Sequence, residues 1–208
     1  MFEPHKIART GAVGRAMFVS HEREKLLNAL IYFIRETKHA HTLKLFKLLN
    51  FLDFEHFRQT GRTVTGLDYQ AFPNGPVPRE LWEELKRGGE PDLRQSIAMW
   101  AEKDEITDAV LRRVFKPRGA FDSKYFTKRE LKIMERLALF FKEYNAESMT
   151  EFSHGYRKPW SKIWNDGKGR DATIPPELSL DAEALISDVP NIEKQELEFR
   201  KELRRTSA

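Results

Sequence analysis

Between Thr42 and Gly61 the chain places Leu43, Leu45, Phe46, Leu48, Leu49, Leu52, Phe54 and Phe57 around most of the circumference of one helix. A helix that is apolar on nearly every side has no face to offer water, so it belongs at the centre of a core with the other elements wrapped around it. Thr42 stands where an N-cap is expected, and Gly61 where the left-handed residue that commonly ends a helix would fall. Lys44 and Lys47 interrupt the run. They read most simply as long side chains snorkelling out of a core helix, although with Phe46 and Phe51 they also fit a small basic patch with aromatics.

The remaining pattern supplies partners for such a helix. Ser20, with Glu22 and Glu24 behind it, is a helix start, and Leu26, Leu27, Leu30, Ile31 and Ile34 give that helix one buried face. Thr63, Val64, Thr65, Tyr69 and Phe72 predict a short extended segment, and the three prolines of Pro73 to Pro78 predict a turn in which Asn74-Gly75 supplies positive φ. A short helix over about Pro78 to Lys86 ends at Gly88 and Gly89, while Ile106 to Phe115 fits either a helix turn or a strand. Thr127 with Glu130 forms a capping box ahead of Leu131, Met134, Leu137, Ala138 and Phe141 at helical spacing. Asn145 can cap a short helix through Phe152, and Pro159 suits the first turn of one carrying Trp160, Ile163 and Trp164.

These elements predict a mainly α, compact helical domain over residues 20–165, with a short β-strand or hairpin inserted after the central helix. Residues 1–19 read as a flexible arm. Residues 166–208 read as a linker, punctuated by Pro175, Pro176 and Pro190, and then a charged, solvated helix.

Composition narrows the function classes. With 208 residues, 15 Phe and 4 Trp, the chain can fill one hydrophobic core. The absence of Cys removes disulfides, thiolate zinc sites and a thiol nucleophile, and suits a reducing compartment. The net charge of +4 comes from 36 basic and 32 acidic residues that are interspersed, which argues against nucleic acid as a partner. No signal peptide is visible at the N-terminus and no apolar stretch reaches the roughly 20 residues needed to span a bilayer, so a cytoplasmic location without membrane contact is expected.

Candidate chemistry is sparse. No phosphate-binding Gly-Lys-Ser or Gly-Lys-Thr, no Gly-x-Ser-x-Gly elbow and no His-Glu-x-x-His pair occurs. Asp53 with His56, and Glu151 with His154, each set a carboxylate and an imidazole three residues apart, which resembles half of a carboxylate-bridged metal site in a helical bundle. Such a site needs two further glutamates on facing helices, so hydrogen-bonded or exposed histidines are the simpler reading. His39 and His41 diverge on any regular element and fit a loop better than a chelate. The Pro73 to Pro78 corner has two readings that are compatible: a structural corner that sets the next helix, and a stiff loop that displays Asn74 and Gly75 for binding.

Taken in order, the motifs resemble one family. Lys44 to Asp53 followed by His56 resembles the first core helix of the Panacea (SocA-like) antitoxin domain, with Asn50 and Phe51 where a Tyr-Phe pair is commoner. Thr65 to Tyr69, then Ala71, Phe72, Pro73, Asn74, Gly75, Pro76 and Val77, resembles its Gly-Pro-Val signature. Phe126, Thr127 and Glu130 resemble its capped helix. Ser148, Phe152, Ser153, His154, Pro159 and Trp160 resemble its closing Thr-His and Pro-Trp elements, with Ser153 replacing the Thr.

The resemblance spans roughly residues 41 to 165 and implies an antitoxin that neutralises a neighbour-encoded, cognate protein toxin by direct binding, with no cofactor and no reaction. Its motif residues Asp53, His56, Tyr69, Phe72, Pro73, Asn74, Gly75, Pro76, Val77, His154, Pro159 and Trp160 are then the candidate partner-binding or structural positions, and Trp160 is expected to be buried. Members of the family pair with unrelated toxins, which makes the segments outside the match the natural place for partner-specific contacts. The alternatives are a metal-dependent helical-bundle enzyme using Asp53/His56 and Glu151/His154, or an adaptor that presents a partner to a protease. A DNA-binding autoregulator would need a basic recognition helix, which the charge pattern does not offer.

Overall fold

The computed structural model describes residues 21–103, 110–154, 158–182 and 190–207. The arm of residues 1–19, Ser20 and the first part of the Ile106 to Phe115 stretch lie outside the described residues. Helix α1 (Glu22–Glu36) is followed by α2 (Thr42–Thr60), the hairpin β1 (Tyr69–Phe72) and β2 (Gly75–Pro78), then α3 (Arg79–Lys86) and α4 (Pro91–Ser96). A second hairpin, β3 (Ile97–Lys103) and β4 (Val110–Pro117), leads to α5 (Lys128–Phe140), α6 (Thr150–His154), α7 (Pro159–Trp164) and α8 (Lys194–Ser207). The fold is mainly α, with two small two-stranded antiparallel sheets.

Helix α2 is the axis. Every residue from Lys44 to Arg58 is buried, as its all-round apolar pattern requires, and α1, α5, β2 and the 3₁₀ turn Pro176–Asp181 pack around it. Leu26, Leu27, Leu30, Ile31 and Ile34 of α1 face it from one side, and Ile133, Met134 and Leu137 of α5 from another. Gly61 ends α2 with φ 68°, as its position predicts, but Thr42 already lies inside the helix. His41 takes the N-cap position without a side-chain cap, because its backbone is bridged to Val114 of β4 and enters the helix from there. The capping box before α5 is complete: Thr127 Oγ1 accepts from the Glu130 amide and the Glu130 carboxylate accepts from the Thr127 amide at 2.6 Å.

Two expectations need correction here. The run Pro73 to Pro78 is not all turn, since only Pro73 and Asn74 form the tip and Gly75 to Pro78 form β2, paired Phe72↔Gly75 through Tyr69↔Pro78. Tyr69 and Ala71 direct their backbone groups the other way, to Ile174 and to Ala172 and Asp171. Pro76 and Pro78, opposite Ala71 and Tyr69, therefore occupy the alternate positions of an edge strand where no ladder donor is required. The second correction concerns the end of the chain. Leu197 of α8 is buried, its Cδ1 lying against Gly61, while Arg58 donates to Asn191 Oδ1 at 2.6 Å and its carbonyl accepts the Ile192 amide at 2.8 Å. This charged helix is docked on the end of α2 by one apolar side chain and a clasp of polar groups, which a low apolar content does not announce.

Candidate functional site

Six ionisable side chains of α2 are buried; Glu55 and Arg58 pair with each other, and the other four have each found a different solution. Lys44 is 0% exposed and Lys47 2%, so neither snorkels. A lysine inside a helix that is covered on all sides has no path to water, and its ammonium must be satisfied internally. Lys44 Nζ donates to the carbonyls of Lys38 (2.6 Å), Phe141 (2.8 Å) and Tyr144 (2.5 Å), with Lys142 at 3.3 Å. It thus caps the C-terminal end of α5, where carbonyls left over by the helix carry partial negative charge. Burial pushes its pKa down to about 8, with Glu143 pulling the other way.

Asp53 is fully buried and accepts four hydrogen bonds, from the amides of Val64 (2.7 Å) and Thr65 (2.8 Å), from Thr65 Oγ1 (2.5 Å) and from the Tyr69 hydroxyl (2.7 Å). Desolvation lifts its pKa against the pull of these donors, and burial beside Asp53 drives the Tyr69 hydroxyl well above its ordinary value. The segment predicted as extended from Thr63 is therefore irregular up to Asp68, its amides turned inward to clasp the carboxylate. His56 makes no contact with it. Its Nδ1 lies 2.7 Å from the Arg62 carbonyl, a bond that closes the end of α2, and burial lowers its pKa.

Lys47 has a different environment. Its Nζ donates to the Asn74 carbonyl at 2.8 Å, in the tip between β1 and β2, and to Ser153 Oγ at 2.9 Å, in α6. Burial holds its pKa down at about 8. Gly75, with φ 115°, lies directly under it: a Cβ there would stand 2.7 Å from Lys47 Nζ and 3.5 Å from both Ser153 Oγ and His154 Nε2. The glycine is required by its dihedral and again by the ammonium above it.

The His154 ring stacks on Trp160 with centroids 3.6 Å apart and 8° between planes, and Trp164 also stacks on Trp160 with centroids 5.4 Å apart. Trp160 is 7% exposed, as expected, and its indole donates to the Phe72 carbonyl at 2.9 Å. Pro159 occupies the first turn of α7 and aims the indole there. Burial, and then the charge of Lys47, push the His154 pKa down to about 4, and its Nε2 is buried without a hydrogen bond.

Stretches of sequence far apart in the chain thus converge. The Lys47 ammonium ties α2 to the Gly-Pro-Val hairpin and to Ser153, and Trp160 ties the Pro-Trp helix to the other strand of the same hairpin. Pro76 and Val77 are buried at this junction, whereas Pro73 and Asn74 are exposed at its tip. Between α2, α6 and α7 lies a small, open cleft lined by Asn50, Phe54, Phe152, Ser153, Pro159 and Trp160 among others. The Glu55 and Arg58 side chains on its wall pair with each other at 2.5 Å.

The two carboxylate–histidine pairs do not assemble. The Asp53 oxygens and the His56 ring serve separate backbone segments, Glu151 is exposed, and no three His, Asp or Glu side chains among the described residues are grouped to hold a metal ion. Sequence reasoning missed Lys44, Lys47, Thr65 and Ser153 as the polar centres. For the lysines the signal was present, because an all-apolar helix leaves its lysines no exit.

The arrangement defines a helical scaffold in which family-like motifs meet at one buried polar junction beside an aromatic cleft. The model of the antitoxin SocA-like, Panacea domain family matches residues 45–161, more than half of the chain, and the chain belongs to that family. No curated protein and no solved structure matches it.

Proposed function

We propose that this protein is an antitoxin that neutralises a neighbour-encoded protein toxin by binding it directly, in the cytoplasm and without a cofactor. The observation that carries the reading is the family match over residues 45–161, which takes in Lys47, the Gly-Pro-Val hairpin, His154 and Trp160. The geometry supports it in a second way. Lys44, Asp53 and His56 are engaged with the protein's own backbone, so their role is to hold a shared scaffold together. Discrimination between partners then falls to the segments outside the family match and to what the scaffold exposes: the Pro73–Asn74 tip and apolar side chains facing water such as Leu139, Phe140 and Trp100. No helix among the described residues is long and apolar enough to cross a membrane.

The test is expression of the adjacent gene in a heterologous host with and without this one. Growth arrest by the neighbour alone, relieved by co-expression of the full chain, is the expected result. A neighbour that is harmless, or whose toxicity is unaffected, overturns the reading.

A further inference from the structure

We infer that the cleft between α2, α6 and α7 is the receptor for a segment of the partner protein that carries a carboxylate beside an apolar side chain. The inference rests on the antitoxin reading and adds the chemistry of contact. Three observations carry it.

The first is an unbalanced charge. Lys44 has its ammonium surrounded by helix-end carbonyls, but Lys47 has two neutral acceptors for three N–H groups, and no carboxylate is among its contacts. Buried charges are normally paired, and one left with neutral partners on one side favours an anion arriving from outside. The second is an unpartnered donor. Asn50 is 6% exposed, lines the cleft one helical turn from Lys47, and its Nδ2 has no hydrogen bond. The third is shape. Phe51, Phe54, Phe152 and Trp160 give the cleft apolar walls against which a side chain can lie.

Of the charges already on the wall, Glu55 is neutralised by Arg58 at 2.5 Å and also accepts from Gln59, and Lys158 is a cation and does not oppose an anion. A carboxylate entering the cleft meets the Asn50 amide, in the field of the Lys47 ammonium that stands behind the wall at Ser153, whose own hydroxyl donates to the Thr150 carbonyl at 3.0 Å. The apolar side chain next to it fills the space between the phenylalanines and Trp160. An acidic-apolar segment is therefore favoured over a purely apolar one, which would leave the Asn50 donor and the Lys47 charge without an answer.

Two probes test this on the full chain. N-acetyl-Phe-Asp-amide and N-acetyl-Phe-Asn-amide differ only in the carboxylate, and NMR can follow the Asn50 side-chain amide and the Trp160 indole during titration with each. The expected result is perturbation centred on those two groups at millimolar peptide, with the Asn peptide weaker by roughly tenfold, the size of one modest charge interaction. Asn50→Asp, which places a like charge on the wall without removing a hydrogen bond of the fold, is expected to abolish binding of the Asp peptide and to impair relief of toxicity in co-expression. Absence of perturbation at the two groups, or equal affinity for both peptides, overturns the inference. So does equally tight binding of hydrocinnamate, which would make the site one for a small carboxylic acid. Wild-type chain that fails to relieve toxicity overturns the antitoxin reading instead, while wild type and Asn50→Asp that relieve it equally overturn only the cleft assignment.

Discussion

Gly75 concentrates the residue-scale constraints. Its φ of 115° is open to glycine and strained for other residues, and any Cβ there meets Lys47 Nζ at 2.7 Å. Gly75→Val is therefore expected to destabilise the protein by about 1–3 kcal/mol from backbone strain alone, and more from displacing the ammonium. A thermal melt reads this, and an unchanged Tm would show that neither constraint operates. His154 adds a pH dependence with a definite sign. Its pKa is about 4 in the folded protein, against roughly 6.5 for a free histidine, so the unfolded chain binds the extra proton between these values. Stability is then lost as pH falls from about 6.5 to 4. His154→Phe, which keeps a ring stacked on Trp160 but cannot titrate, is expected to show a shallower loss over that window in denaturant titrations, and parallel curves would contradict the assignment. The identity of Gly75 and the burial of Trp160 were readable from sequence. The roles of Lys47 and Ser153 were not, because a lysine and a serine look the same whether they face solvent or each other across 106 positions of chain.

At the scale of elements, local signals were the readable ones. The Thr127–Glu130 capping box and the Pro159 helix start are written in neighbouring residues and appear as expected. The second strand of the hairpin was hidden, because three prolines in six residues read as turn until pairing shows that Pro76 and Pro78 fall where a ladder needs no donor. Ile106 to Phe115 fits a helix turn or a strand, and its pairing as β4 with β3 stays hidden, since strand pairing is a long-range choice that short mixed segments do not declare. Helix α8 reads as solvated because only a few of its residues are apolar, yet Leu197 covers Gly61 and Arg200 donates to the Thr60 carbonyl at 2.9 Å. Deleting residues 191–208 is therefore expected to lower the Tm, with a cost on the order of 2 kcal/mol from uncovering Leu197's site. A truncated chain that melts with the full-length protein would show that this docking contributes nothing.

The whole molecule is organised around one helix with no exposed face. Its centrality was plain from the first apolar run, and so was the mainly helical class. What the run could not convey is that its charged residues act as fasteners: Lys44 to the end of α5, Lys47 to the hairpin and α6, Asp53 to the loop before β1, and His56 to its own C-terminal turn. Residues separated by up to 106 positions are joined this way, which explains why motifs scattered over the family's match form one junction. With those groups engaged internally, the same scaffold can carry different outer surfaces, and function is expected to reside in binding. The most direct measurement is calorimetric titration of the purified product of the adjacent gene into the purified full chain, with the mass of the complex checked by light scattering. Saturable binding at a fixed stoichiometry and a complex of matching mass are the expected result. Relief of toxicity in cells without heat or complex formation between the purified proteins would contradict it.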